Sequence, residues 1–116
     1  MRPAQREPDR ELVTEIATRM LTVAPATRVS RIAADHGLSP RSLQRLFRAY
    51  VGVSPKWVLK RYRIHEAAER VVAGEREDWA SMATDLGFAD QAHLIRDFRA
   101  AVGRSPGEYA RACAAA

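Results

Sequence analysis

Four residues spaced three and four apart carry the chemistry most readily read from this sequence: Arg41, Gln44, Arg45 and Arg48. On a helix, positions i, i+3, i+4 and i+7 fall on one face. Arg and Gln side chains make paired hydrogen bonds that match the major-groove edges of guanine and adenine. A second set, Gln91, Ala92, Ile95, Arg96 and Arg99, occupies one face of a later stretch. Ile95 is its odd member, since a branched apolar group on a polar face is either satellite core or a contact to thymine methyl groups. Asp97 lies about 100° round a helix from Arg96 and need not oppose a contact there.

Charge concentrates around the first set. The 116 residues hold 19 Lys+Arg and 14 Asp+Glu, a formal net charge of +5. From His36 to His65 there is no Asp or Glu, while Arg41, Arg45, Arg48, Lys56, Lys60, Arg61 and Arg63 give a local +7. From Asp78 to Glu108 five acids face only Arg96, Arg99 and Arg104, a local −2. A cationic stretch with no counter-charge repels itself unless something anionic arrives, so the partner expected is a polyanion. Arg48, Lys56, Lys60, Arg61 and Arg99 are the expected phosphate contacts, and the helix start at Ser39 can receive a phosphate on its backbone N–H groups. Asp90, at the corresponding start of the later stretch, would repel a phosphate that came too close. Arg63 has an alternative use, an internal ion pair with Glu66 or Glu69.

Other chemistries find little support. His36, His65 and His93 lack any ligand spacing such as H-x-x-x-H, and the single cysteine, Cys113, permits neither an internal disulfide nor a cysteine-based zinc site. Ser42, Ser54 and Ser81 have no positioned His/Asp partners, and no Gly-rich phosphate loop is present. The expectation is therefore a non-enzyme with no cofactor and no metal. No apolar run approaches the ~18–20 residues of a membrane span, and the charged N-terminal residues have no apolar segment behind them, so a soluble domain in a reducing compartment is expected.

The elements that position these residues read as all-α. Leu12, Ile16 and Met20, with Val13, Ala17 and Leu21, form an amphipathic stripe ending before Pro25. Val29, Ile32 and Ala33 open a short helix that Gly37 stops. Ser39-Pro40 is a start signal, a hydroxyl cap followed by proline at the first helical position. Leu43, Leu46, Phe47 and Tyr50 form its core stripe, and Gly52 ends it. Ser54-Pro55 starts a longer helix to about Gly74, with Trp57, Val58, Ile64, Ala68, Val71 and Val72 available for burial. No segment alternates apolar and polar residues as a strand would.

An internal repeat organises the whole. Ile32-Ala33-Ala34-Asp35-His36-Gly37-Leu38 matches Met82-Ala83-Thr84-Asp85-Leu86-Gly87-Phe88, 50 residues on. Leu43 to Gly52 matches Leu94 to Gly103, and Ser54-Pro55 matches Ser105-Pro106, both 51 residues on. The second copy has one extra turn residue, with Asp90 as the cap equivalent to Ser39. Each copy has a small residue (Ala33, Ala83) four before the turn glycine, which lets two helices cross closely. Two helix–turn–helix copies joined by a long helix follow. A helical protein–protein adaptor with a basic face for an acidic partner is the alternative, but it has no reason to repeat an Arg-bearing ridge.

The segment Gly87-Phe88-Ala89-Asp90-Gln91-Ala92-His93-Leu94-Ile95-Arg96-Asp97-Phe98-Arg99-Ala100-Ala101-Val102-Gly103-Arg104-Ser105-Pro106-Gly107-Glu108-Tyr109 resembles the hallmark of the AraC/XylS family of bacterial transcription regulators. The first copy, from Ile32 to Ser54-Pro55, and Arg63-Ile64…Ala68 match as well. The resemblance covers about residues 9–111. It implies seven helices, with two helix–turn–helix units (about 28–52 and 78–103), a rigid linker helix (about 54–74) and a closing helix (about 105–112). Residues 1–8 and 113–116 are then flexible ends. It further implies sequence-specific binding to double-stranded DNA in two successive major grooves, acting in transcription, with activation the expected direction. Base-contacting positions of the family fall on Arg41, Gln44 and Arg45, and on Gln91, Ala92, Ile95 and Arg96. RNA polymerase is an implied partner, the cytoplasm and nucleoid the implied location, and a sensing or dimerisation domain outside these residues is usual in the family. Two positions depart from the pattern: Val58 replaces a common aromatic, with Trp57 beside it, and Ile95 stands where a small polar residue is usual.

Overall fold

The computed structural model describes residues 7–74 and 78–115, and these contain helices and turns without a strand. The helices are α1 (Glu7–Met20), α2 (Val29–Asp35), α3 (Pro40–Tyr50), α4 (Pro55–Val72), α5 (Trp79–Asp85), α6 (Gln91–Val102) and α7 (Pro106–Ala115). Of the ends expected to be flexible, residues 1–6 and 116 lie outside the described residues. Glu7 and Pro8 belong to α1, and α7 runs to Ala115. The chain forms two compact units, and the boundary between Lys60 and Arg61 falls inside α4.

In the first unit α3 packs against both α1 and α2. Its core is Val13, Ile16 and Met20 of α1, Ile32 and Ala33 of α2, Leu43 and Phe47 of α3, and Val58 and Leu59 from the start of α4. Leu46 and Tyr50 are only half-buried. The α1 stripe is narrower than its leucines suggest. The helix ends at Met20, so Leu21 falls in the following turn and is 64% exposed. Trp57 is likewise half exposed, because Val58 takes the inward position of that helical turn.

The second unit is built around Ile64, Ala67 and Val71 of α4, Met82, Ala83, Leu86 and Phe88 of α5 and its turn, and Leu94 and Phe98 of α6. Tyr109 of α7 closes it, its ring 5.6 Å from Phe98 in an edge-on arrangement. Val72 points outward, one position beyond the last core residue of α4.

Both turns between paired helices are the same object. Leu38 N–H reaches back to Ala33 O (2.9 Å) and Gly37 N–H to Ala34 O (3.0 Å). Phe88 N–H bonds Ala83 O (2.9 Å) and Gly87 N–H bonds Thr84 O (3.2 Å). This double bond set closes a helix only when the residue between takes a left-handed backbone, and Gly37 and Gly87 do so, with φ of 71° and 84°. Ala33 and Ala83 are fully buried beneath the crossings.

The repeat extends further back than the motif itself. Val13, Ile16 and Met20 of α1 correspond, 51 residues on, to Ile64, Ala67 and Val71 of α4, and all six are buried. Arg19 corresponds to Arg70 in the same way. Arg19 pairs with Asp35 of α2 at 2.6 Å, and Arg70 pairs with Asp85 of α5 at 3.6 Å. Each helix–turn–helix is thus clamped to the helix before it by the same arginine–aspartate pair. The single helix α4 ends one repeat and begins the next.

Candidate nucleic-acid interface

α3 presents the ridge that its spacing predicts. Leu43 and Phe47 are fully buried, which turns Arg41, Gln44, Arg45 and Arg48 to the exposed side. Among the described residues none of these four makes an ion pair or a side-chain hydrogen bond. The acid nearest in sequence, Asp35, is already held by Arg19 and by Arg31 at 3.2 Å. Three guanidinium groups and an amide are therefore left with their donors turned to solvent.

The helix behind this ridge is set at both ends. Ser39 Oγ accepts from Ser42 N–H at 3.1 Å and donates to Ser42 Oγ at 3.0 Å. Ser39 thus serves first as the cap of α3, and the backbone donors left at the helix start are what an anion there would meet. At the start of α4, Ser54 Oγ caps Trp57 N–H at 3.1 Å, and Lys56, Lys60 and Arg61 are all exposed along that helix. Arg63 is half-buried, and desolvation lowers its pKa from the usual arginine range. Of its two expected acidic partners, Glu69 bonds His65 Nε2 at 2.6 Å.

α6 presents a second ridge of different composition. Leu94 and Phe98 are fully buried, Gln91, Ala92, Arg96 and Arg99 are exposed, and Ile95 is half-buried. Asp97 is turned away from this ridge. Its side chain is 12% exposed, and its Oδ2 lies 2.9 Å from His93 Nε2. Arg99 is less free than Arg48, because Glu108 Oε1 approaches its guanidinium at 3.9 Å. Glu108 in turn accepts from Ser105 N–H at 2.8 Å while Ser105 Oγ accepts from Glu108 N–H at 3.1 Å, a reciprocal cap on α7. The Ser105 backbone bond, followed by its side-chain bond, holds the Glu108 carboxyl below its ordinary pKa.

Three contributors escape notice in the bare sequence. His93, read there only as a failed metal ligand, fastens the turn to the ridge-bearing helix. Ala89 N–H donates to its Nδ1 at 3.1 Å, and its other ring nitrogen, Nε2, lies 2.9 Å from Asp97 Oδ2. Phe88 meets the ring edge-on at 5.4 Å. The Arg19–Asp35 and Arg70–Asp85 clamps are the other two. Their signal was available: an arginine 16 residues before the aspartate in the first copy, 15 before it in the second.

A family model described as a helix-turn-helix domain matches residues 32–112, both motifs and the helix between them. The chain belongs to the AraC-type helix-turn-helix family. Members of this AraC-type family bind DNA and regulate transcription. The arabinose operon regulatory protein of Salmonella typhimurium is 31% identical over 85 residues, which cover 73% of this chain and 30% of that protein. The transcriptional activator NphR of a Rhodococcus species is 37% identical over 81 residues, covering 70% and 24% respectively. This AraC-type chain spans about a third of the length of the curated relatives it matches. An AraC-type DNA-binding domain structure from Chromobacterium violaceum superposes with a TM-score of 0.78 at 22% identity, covering 94% of this chain and 97% of that one. A DNA-binding transcriptional dual regulator from Escherichia coli K-12 superposes with a TM-score of 0.74 at 25% identity, covering 87% and 94%. No described helix is long and apolar enough to cross a membrane.

Proposed function

We propose that residues 9–111 form the sequence-reading part of a bacterial transcription regulator, with α3 and α6 entering successive major grooves of one duplex. The observation that carries this reading is the α3 ridge, where Arg41, Gln44, Arg45 and Arg48 are exposed and unpaired among the described residues. In the major groove Arg41 and Arg45 suit guanine and Gln44 suits adenine. Gln91, Ala92, Ile95 and Arg96 are the base contacts of the second helix. Ser39, Arg48, Lys56, Lys60, Arg61 and Arg99 contact the phosphate backbone, which positions the domain without reading sequence. The first unit supplies most of the grip and the second most of the discrimination. The regulator works in the cytoplasm on nucleoid DNA as an activator that engages RNA polymerase, under a sensing or dimerisation domain outside these residues.

Two measurements test the DNA reading. About six phosphate contacts predict a loss of affinity for random duplex on the order of 10³-fold between 50 and 200 mM salt. A flat salt response overturns the reading in favour of an adaptor for an acidic protein. Footprinting on a selected site is expected to show two patches about one helical turn, ~10 bp, apart on a non-palindromic sequence. A single patch, or an obligatory palindrome, overturns the two-groove arrangement.

A further inference from the structure

The two ridges can be compared atom class by atom class, because Leu43 and Phe47 correspond to Leu94 and Phe98 at the same interval, 51 residues, and all four are fully buried. The exposed positions are then in register. Arg45 is matched by Arg96 and Arg48 by Arg99, but Arg41 is matched by Ala92 and Gln44 by Ile95. The second ridge has kept the central arginine and lost both neighbouring polar readers to apolar groups. Ala92, exposed, and Ile95, half-buried, lie three apart, so they adjoin on one face of α6.

Ile95 could have been explained as part of the core. The half-buried apolar side chains that pack on the second unit's core are Ala68, Trp79, Val102, Tyr109 and Ala110, and Ile95 is not among them. It stands half-buried on the ridge-bearing side of α6, flanked by the exposed residues Ala92 and Arg96. The one apolar group that a base pair displays in the major groove is the 5-methyl of thymine, which suits alkyl side chains such as these.

We infer that Ala92 and Ile95 make α6 a reader of thymine methyl groups, so that the half-site beneath α6 is specified by 5-methyl pyrimidines beside the base read by Arg96. The half-site beneath α3 is specified instead by hydrogen bonds to purines. This inference rests on the DNA reading proposed above, and its test separates the two.

A preferred duplex is selected from random DNA, and its halves are assigned by the protection lost in Arg45→Ala and Arg96→Ala. Each thymine is then replaced in turn by uracil, which removes the methyl group and leaves every hydrogen-bonding edge intact. Uracil in the α6 half is expected to weaken binding about three- to fivefold per contacted position, the effect of exposing one buried methyl group. Uracil in the α3 half is expected to change affinity less than twofold. Ile95→Ser should lose the thymine preference at the position it contacts and keep at most the one that Ala92 reads, whereas Ile95→Val should keep both. Uracil without effect in the α6 half, or a selected half-site lacking thymine there, overturns the inference while salt-dependent duplex binding persists. Loss of all salt-dependent duplex binding overturns the DNA reading and this inference with it.

Discussion

The two units share a frame and differ on their surface, and the differences are not spread evenly. In the interior one apolar shape replaces another: Ile32 by Met82, Leu38 by Phe88, Val58 by Tyr109. Such exchanges stay within apolar and aromatic side chains while changing their size, which cores tolerate when neighbours repack. The turn glycines, their back-bonding carbonyls and the clamping arginine–aspartate pairs are retained outright. On the exposed ridge the exchanges change chemical class, Arg41 to Ala92 and Gln44 to Ile95. The cap changes from a neutral hydroxyl at Ser39 to a carboxylate at Asp90, which holds His93 N–H at 2.8 Å. A repeat that conserves its scaffold and changes its exposed face suits the proposed recognition of two unlike half-sites from one chain.

Removing the central arginine of each ridge sets the units against one another most sharply. Arg45→Ala is expected to weaken specific duplex binding by about 1–3 kcal/mol, the worth of a bidentate base contact. Arg96→Ala should fall at the low end of that range or below it. Arg45 lies within the local +7, whose cations are the proposed phosphate contacts, while Arg96 lies within the local −2. Titrations of both variants on one selected duplex give the comparison. Equal losses would mean that the charge asymmetry does not divide grip from discrimination.

Much of this architecture was legible before any coordinates. Glycine at a fixed place after an alanine, serine–proline starts and i, i+3, i+4 apolar stripes are local rules, and they located α2 to α4 and both ridges, while the repeat and the family resemblance supplied α5 and α7. The exposed state of Arg41, Gln44, Arg45 and Arg48 followed from Leu43 and Phe47 by helical geometry alone. What stayed hidden depends on contacts between elements. The correspondence of α1 with the second half of α4 shares only Glu15/Glu66, Ala17/Ala68 and Arg19/Arg70, set among buried positions such as Val13 and Ile64 that differ in identity. Leu21 and Val72 fit their stripes by period, yet the chain turns or ends beside them. His93 looked like a stray ligand because its partners are a backbone N–H in the turn and an aspartate, neither of which has a ligand signature.

The clamps give a second, smaller contrast. Asp35 serves two arginines, at 2.6 and 3.2 Å, and its side chain is 24% exposed. Asp85 meets Arg70 at 3.6 Å and is 58% exposed. Exposed pairs contribute about 0–1 kcal/mol because solvent screens them and the side chains lose freedom in pairing. Asp35→Asn is therefore expected to destabilise its unit by about 1 kcal/mol, and Asp85→Asn by less than about 0.5 kcal/mol. Urea unfolding read by Trp57 in a Trp79→Phe background for the first unit, and by Trp79 in a Trp57→Phe background for the second, follows the two separately. A larger loss in Asp85→Asn would reverse the assignment of the stronger clamp.

The smallest expected effect concerns Arg48 and Arg99, the same ridge position in the two units. Arg48 has no acidic partner among the described residues, whereas Arg99 has Glu108 at 3.9 Å. A phosphate approaching Arg99 must compete with that carboxylate. Glu108→Gln keeps an oxygen able to accept from Ser105 N–H but removes the negative charge, so duplex affinity should rise by about twofold or less at low salt and hardly at all once screening is strong. The same carboxylate makes the start of α7 sensitive to acid. Its folded pKa lies below its unfolded value, so the capping contribution is fully present above the unfolded value and is lost as pH falls through the folded one. The wild-type α7 cap should therefore survive at neutral pH and weaken only below the ordinary carboxylate range, with the amide signals of Ser105 and Glu108 as the readout. In Glu108→Gln those signals should lose this acid transition. An unchanged transition would assign it to another group, and unchanged affinity at low salt would show that Glu108 does not restrain Arg99.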